Sequence, residues 1–406
     1  MFKEGPLAFR MCPRTFEEYV GQEHILGKDK LLRRAIEADR ISSIILYGPP
    51  GTGKTALARV IANLTKAHFD WLNAATVGLP ELRKVIAQAR KNKKAGEKTI
   101  LFLDEIHRFN KLQQDALLPD VEEGNIILIA ATVENPFFYV NSALLSRSQV
   151  FELKLSSKED LLRIMKTALN DTERGLGELK IKAEEDALLH LAKMADGDAR
   201  RALSALEVAA LTTGPDDRGL IHITKSTAEE SIQKKAVLYD KTGDQHYDTI
   251  SAFIKSMRGS DPDAALYYLA KMLYAGEDPR FIVRRLVIFS AEDIGNKDPM
   301  ALVLAVSALR AVEFVGMPEA RIPLAQAVIY AATAPKSNKT IVAIDKALKD
   351  VAEEMTLEVP DHLKDAHYRG AEELGHGAGY KYPHNYPDSR VEQEYLKEKR
   401  KYYEPE

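Results

Sequence analysis

The chain has 406 residues, 45% hydrophobic and 29% charged, with 57 Lys and Arg against 60 Asp and Glu. At ~100–200 residues per domain this length predicts roughly two to four domains with real cores, which excludes a peptide, a fibre or a disordered chain. A net charge of -3 means that any nucleic-acid or membrane contact must come from local patches, and the single cysteine, Cys12, excludes an internal disulfide or a multi-thiolate zinc site and agrees with a reducing cytoplasm.

The opening segment, MFKEGPLAFRMCPRTF, has no apolar stretch after its first charges, and the longest apolar run, 300–309, is about half a membrane span. A soluble chain, neither exported nor membrane-spanning, is expected. Through residue 155, short apolar runs alternate with helical patterns, the rhythm of a parallel sheet covered on both faces. Strands are predicted at 43–47, 68–72, 99–103, 126–131 and 149–153, and a helix at 79–93, where Leu82, Val85, Ile86 and Ala89 recur at helical spacing. From Ser156 the pattern is helical: 158–170 starts behind a capping box of Ser157 and Asp160, and 183–195 and 199–211 follow without a buried strand between them. The break TTGPDD at 212–217 marks a linker, followed by a short extended piece at 220–224. Past Tyr247, alanine-rich helices are predicted at 264–273, 299–315 and 323–334, with small-residue surfaces suited to a bundle or a subunit interface. The Gly-, Tyr- and Pro-rich end, including HGAGYKYPHNYP, reads as irregular.

Between the first strand and a helix stands Gly48-Pro49-Pro50-Gly51-Thr52-Gly53-Lys54-Thr55, the G-x-x-x-x-G-K-T P-loop in its required strand–loop–helix context. Such a loop turns its backbone N–H groups and a helix N-terminus toward phosphate. Lys54 is expected to neutralise the β/γ-phosphates of ATP and Thr55 to bind Mg²⁺. The strand at 99–103 runs into Asp104 and Glu105, at the carboxyl edge where a nucleotide site needs acids. Asp104 is expected to hold magnesium through water and Glu105 to polarise the attacking water, and two carboxylates favour hydrolysis over kinase chemistry.

The strand at 126–131 leads into Thr132, with Asn135 just beyond; either can hydrogen-bond the attacking water or the γ-phosphate, or simply form a turn. Asn73, at the same sheet edge, either holds Glu105 back or forms a turn. Arg147 precedes the last strand at the domain rim, where an arginine can reach a γ-phosphate held by a neighbouring subunit. Arg200 opens a helix that Asp198 can cap, and a cation is disfavoured at a helix N-terminus unless an anion answers it.

The order VGQ (Val20-Gly21-Gln22), GPPGTGKT, LFLDE, AATVENP, LLSR and GDARRAL resembles the AAA+ ATPases of the clamp-loader group. The stretches GSDPDAALYYLAKML, GEDPRFIVRRLVIFSAEDIGN, GMPEARIPLAQAVIY, APKSN, DAHYRGA and GHGAGYKYPH narrow this to a resemblance, over nearly the whole chain, to the replication-associated recombination protein A family (RarA, or MgsA). Its eukaryotic relative is the Werner-helicase-interacting protein. The resemblance implies a doubly covered α/β AAA+ nucleotide domain at 1–155, a helical lid at 156–213, a linker at 214–247 and an all-α oligomerisation domain with an irregular tail at 248–406. It implies that Lys54 and Thr55 hold phosphate and magnesium, that Asp104 and Glu105 are the Walker B pair, that Thr132 with Asn135 nearby is sensor 1, that Arg147 is an arginine finger and Arg200 sensor 2, and that Val20–Gln22 lie against the adenine. Relatives often carry arginine where this chain has Cys12, with Arg10 and Arg14 as the neighbouring cations. Implied partners are single-stranded, gapped or forked DNA without sequence preference, single-strand-binding protein and further copies of the chain, as a tetramer, in a cytoplasm at the nucleoid.

Other readings are a clamp-loader subunit proper, which would be hetero-oligomeric, and a Holliday-junction motor, which would carry a winged-helix module. Asp104-Glu105-Ile106-His107 also spells a DExH helicase box, but that class needs a second α/β core and the chain beyond Phe151 is helical. A nucleotide-switched scaffold would not need Glu105 or Arg147. For DNA, the basic run from Arg83 to Lys94 and the cluster Arg280, Arg284 and Arg285 are candidate backbone contacts or solvated helix faces, and no aromatic residues interleave with the first.

Overall fold

The computed structural model describes residues 5–232, 244–354 and 356–405. They divide into two compact units, Met1–Gln245 and His246–Glu406. In the first, β1 (Ile44–Tyr47), β2 (His68–Asn73), β3 (Thr99–Asp104), β4 (Ile127–Thr132) and β5 (Gln149–Glu152) form an all-parallel sheet in the order β2-β3-β4-β1-β5. Because side chains alternate along a strand, each strand feeds two cores. Ile44, Leu46, Ile100, Phe102, Ile129 and Ala131 pack on one face with Leu32 and Ile36 of α1 (Leu31–Glu37) and Leu57 and Ile61 of α2 (Lys54–Leu64). Ile45, Leu101, Leu103, Leu128 and Ala130 pack on the other with Leu82, Ile86 and Ala89 of α3 (Leu79–Lys94). Burial on both faces explains the nearly continuous apolar runs read from the sequence. The register sets Asn73 opposite Asp104 and Tyr47 opposite both Thr132 and Glu152, so the carboxyl ends form one edge.

The lid is built from α4 (Lys158–Asn170), α5 (Glu185–Ala195) and α6 (Ala199–Thr212) around Leu161, Met165, Leu188, Leu191, Leu203 and Leu206. Ser157 and Asp160 close their capping box, the Ser157 side chain accepting from Asp160 N at 3.0 Å. Two differences from the sequence reading appear here. The helix expected from 183 begins at Glu185, because Ile181–Ala183 is a short strand, β6, paired in parallel with β7 (Ile221–Ile223). Residues 221–232, read as linker, join the lid through β7, and Ile223, Ala228 and Ile232 lie in the lid core; residues 233–243 of that segment lie outside the described residues.

The second unit is a helical array: α7 (Asp244–Arg258), α8 (Pro262–Tyr274), α9 (Pro279–Phe289), α10 (Met300–Val315), α11 (Arg321–Thr333) and α12 (Lys339–Glu353). Alanines 265, 301, 305, 308, 327, 331 and 332 are buried, so these helices pack with little side-chain volume between them. A π-turn at Ser290–Ile294 follows α9, and its Asp293 takes a bidentate bond from Arg258 at 2.6 and 3.0 Å. Beyond α12 the described residues hold only short 3₁₀ turns.

Candidate functional site

The P-loop leaves β1 and enters α2 beneath a cavity of about 700 Å³ that also reaches β3 and the lid. Gly51 and Gly53 have φ of 74° and 95°, a left-handed conformation that glycine adopts without strain. Space demands glycine as well: a Cβ on Gly51 would stand 2.1 Å from the Asp198 carboxyl carbon, and one on Gly53 would stand 2.4 Å from Tyr19 Oη. Asp198 caps α6 by accepting from Arg201 N at 3.0 Å, so the lid helix begins directly against the loop, with Ala199 N 3.4 Å from Gly51 O. Tyr19 Oη donates to Gly53 O at 3.2 Å. Arg200 lines the cavity.

Lys54 is buried, and its Nζ donates to Gly48 O at 2.7 Å and Pro49 O at 2.9 Å. Burial pushes the ammonium down to about 8, against the pull of the Glu105 and Asp104 carboxylates. A cation held at such cost among carbonyls and a helix N-terminus suits a polyanion. Thr55, Asp104 and Glu105 line the same cavity. Burial and the neighbouring Glu105 charge raise the Asp104 carboxyl. A hydroxyl and a carboxylate are hard oxygen donors that fit a magnesium ion retaining waters and taking its other ligands from phosphate.

Glu105 has φ of 57°, uncommon for a residue with a side chain, and it turns the chain from β3 into the short 3₁₀ turn Ile106–Arg108. Its Oε2 lies 3.2 Å from His107 Nε2, and His107 Nδ1 lies 2.9 Å from Thr132 Oγ1. Asn73 takes the turn-forming alternative, its Oδ1 accepting from Ala75 N at 2.8 Å. Thr132 is buried next to Val133, which lines the cavity, and Asn135 caps the turn Pro136–Tyr139 by accepting from Phe137 N at 3.0 Å.

Of the segment expected against the adenine, Val20 lines the cavity, together with Met11, Ile164 and Leu203. A Cβ on Gly21 would meet Asp160 Oδ2 at 3.2 Å. Gln22 does something else: its amide donates to Lys154 O at 2.6 Å and accepts from Lys154 N at 2.9 Å, clasping the strand end where the chain passes into the lid. Cys12 lines the cavity beside Arg59, and burial raises its thiol. Arg10 is bound to Glu207 at 2.9 Å and Arg14 to Glu173 at 3.1 Å, so both neighbouring cations hold the N-terminal segment against the lid.

Arg147 lies apart from the cavity lining. Its guanidinium donates to Ala143 O and Ser146 Oγ and pairs with Glu122 at 2.5 Å, with the side chain 39% exposed. In the basic run, Arg90 forks onto buried Asp120 at 2.6 and 2.9 Å and Lys93 donates to Glu123 O, whereas Arg83, Lys84, Lys91 and Lys94 are exposed. Arg285 lies over Phe281 at 5.2 Å and Arg280 stands 3.7 Å from Glu313. Sequence reasoning missed the roles of Tyr19, Gln22 and His107. Only His107 carried a local signal, as the last letter of Asp-Glu-Ile-His.

Residues 44–155 match the model of the ATPase family associated with various cellular activities (AAA), residues 177–258 an AAA C-terminal domain, and residues 259–406 the MgsA AAA+ ATPase C terminal model. The chain is 48% identical to replication-associated recombination protein A of Bacillus subtilis, covering 98% of this chain and 94% of that one. The chain belongs to the replication-associated recombination protein A family. It is 45% identical to the Escherichia coli K12 protein of that name over 94% of this chain and 85% of that one, and 40% identical to the ATPase WRNIP1 of Dictyostelium discoideum over 97% and 47%. As a member of this family of AAA+ proteins it is an ATP hydrolase, with a parallel α/β nucleotide domain, a lid and an all-helical C-terminal domain. Among the described residues no helix is long and apolar enough to cross a membrane.

Proposed function

We propose that the protein is a DNA-dependent ATPase of replication forks that are stalled or gapped, hydrolysing ATP at the interfaces of a homo-oligomer, most simply a tetramer. The observation that carries this reading is the convergence of Lys54, Thr55, Asp104, Glu105 and Arg200 on one cavity at the carboxyl edge of the sheet. Lys54 and the P-loop amides bind the substrate's phosphates, and the lid closes over them through Arg200. Magnesium bound by Thr55 and, through water, Asp104 would neutralise charge on the β- and γ-phosphates. Glu105 orients the attacking water and takes a share of its proton on a carboxylate oxygen. Arg147, exposed and outside its own cavity, serves a neighbour's site. Exposed apolar side chains on the C-terminal helices, Val303, Val306 and Phe314 on α10 and Ile344, Leu348 and Val351 on α12, support self-association of that unit.

The family names printed for the Bacillus subtilis and Escherichia coli relatives support replication-coupled recombination as the setting. With Arg90 and Lys93 engaged internally, the exposed cations of α3 would meet DNA through phosphates, without sequence preference. The test is the steady-state ATPase rate of the full chain against forked, gapped, single-stranded and blunt duplex DNA, with and without single-strand-binding protein. Stimulation by forked or gapped DNA above blunt duplex is the expected result. Equal rates with every DNA and with none contradict DNA dependence.

A further inference from the structure

Glu105 directly follows β3 and Thr132 ends β4, and one side chain touches both. His107 sits in the 3₁₀ turn after β3 with its side chain 8% exposed. Its Nδ1 is 2.9 Å from Thr132 Oγ1, and its Nε2 is 3.2 Å from Glu105 Oε2. Burial, with the nearby Arg108 charge, lowers the imidazole's pKa, so the ring is neutral and carries one proton.

The surrounding bonds decide which nitrogen holds it. Thr132 Oγ1 accepts from Glu134 N at 3.0 Å, which leaves the hydroxyl proton for an acceptor. His107 Nδ1 is closer than the competing Glu134 O, which lies at 3.3 Å. With Nδ1 accepting, the ring proton is on Nε2, facing the Glu105 carboxylate. One chain of donors therefore runs from Glu134 N–H to the Thr132 hydroxyl, on to the imidazole and into Glu105.

We propose that His107 is a positioning residue that ties Glu105 to Thr132: while the Thr132 hydroxyl donates to Nδ1, Nε2–H holds the Glu105 carboxylate. When that hydroxyl donates to a bound phosphate or water instead, Nδ1 loses its donor. The ring then gains a proton at Nδ1 and loses one at Nε2 by exchange with water, and Nδ1–H donates back to Thr132 Oγ1. The Nε2 lone pair now faces the carboxylate and repels it toward the cavity. Occupancy at Thr132 thus frees Glu105, a regulation of the active site that rests on the role proposed above for Glu105 and on the sensor 1 role expected of Thr132.

The test uses the full chain labelled with ¹⁵N-histidine, with the His107 ring signals identified by their loss in His107→Gln. Without nucleotide, Nε2 is expected to be protonated and Nδ1 bare; with magnesium and adenosine 5′-(β,γ-imido)triphosphate the assignment should reverse. A free protein with the proton on Nδ1, or no change on adding the analogue, overturns the proposal. A second readout is a double-mutant cycle on turnover. His107→Gln and Thr132→Val should each lower kcat about 10-fold with KM for ATP changed less than about 2-fold, and the double variant should be no slower than the slower single one. Independent effects, multiplying to about 100-fold, overturn it, and melting temperature with nucleotide affinity reports whether each variant is folded. Glu105→Gln separates the levels. If that variant turns over normally, the role of Glu105 fails and the tie falls with it; if it is inactive while His107→Gln and His107→Ala run at the normal rate, only the tie fails.

Discussion

The two units use buried polar groups differently. In the first, Lys54 is buried beside the cavity, and Glu105, which lines it, holds left-handed backbone. In the second, alanine is the commonest buried residue, buried polar groups such as Asp293, bound by Arg258, and His246 with Glu277 are paired, and large apolar side chains are left exposed on α10 and α12. Buried polarity and strained backbone cost stability and persist where a ligand answers them, whereas exposed apolar surface is answered by another protein surface. The first unit carries the P-loop cavity, and the second carries exposed apolar surface on its helices.

The largest expected effect tests whether the two properties work together. Arg147→Ala should bind ATP with near-normal affinity and lose on the order of 10³-fold in turnover, as expected for a finger acting across an interface. Mixed with an excess of Glu105→Gln subunits it should recover part of the rate, because each lends what the other lacks. Confirmed subunit exchange with no recovery would place Arg147 in a role within its own chain. Next in size, Lys54→Ala should weaken ATP binding and lower turnover by ~10²–10³-fold while leaving light scattering of the oligomer unchanged. A variant that fell apart into monomers without nucleotide would show that assembly is not confined to the helical unit.

The smallest effect concerns stability of the α/β unit alone. Burial would raise the Asp120 carboxyl, but its bonds to Arg90 and Asn125 outweigh burial and hold it below its usual value. Asp120→Ala should cost about 1–3 kcal/mol in the transition of that unit, read by calorimetry at neutral pH. Because the folded carboxyl is the stronger acid, the difference from wild type is full above the ordinary carboxyl value near ~4 and vanishes as pH falls through the folded value. A difference that persisted at low pH would assign the loss to packing.

Much of the sheet was legible because strands buried on both faces leave apolar runs of the right length, and each predicted strand lies within a residue of its observed ends. The capping box at Ser157 and the cap at Asp198 were legible because capping is local. β6 was not: Ile181-Lys182-Ala183 is too short and half-exposed for its alternation to stand out from the helix that follows. Gln22 clasps a residue 132 positions away, and the tie from His107 to Thr132 depends on the positions of β3 and β4 at one sheet edge. Neither spacing carries that information. Asn73 was open between two uses, and its turn depends on the path the chain takes after β2.

The central claim is that Glu105 acts on the attacking water at a site whose ATP binding it does not govern. It is tested most directly by ATP affinity and single-turnover hydrolysis of full-length Glu105→Gln, with wild type alongside. The account predicts affinity within about 3-fold of wild type and hydrolysis slowed by ~10²-fold or more. Hydrolysis at the wild-type rate in a variant that binds ATP normally would contradict it.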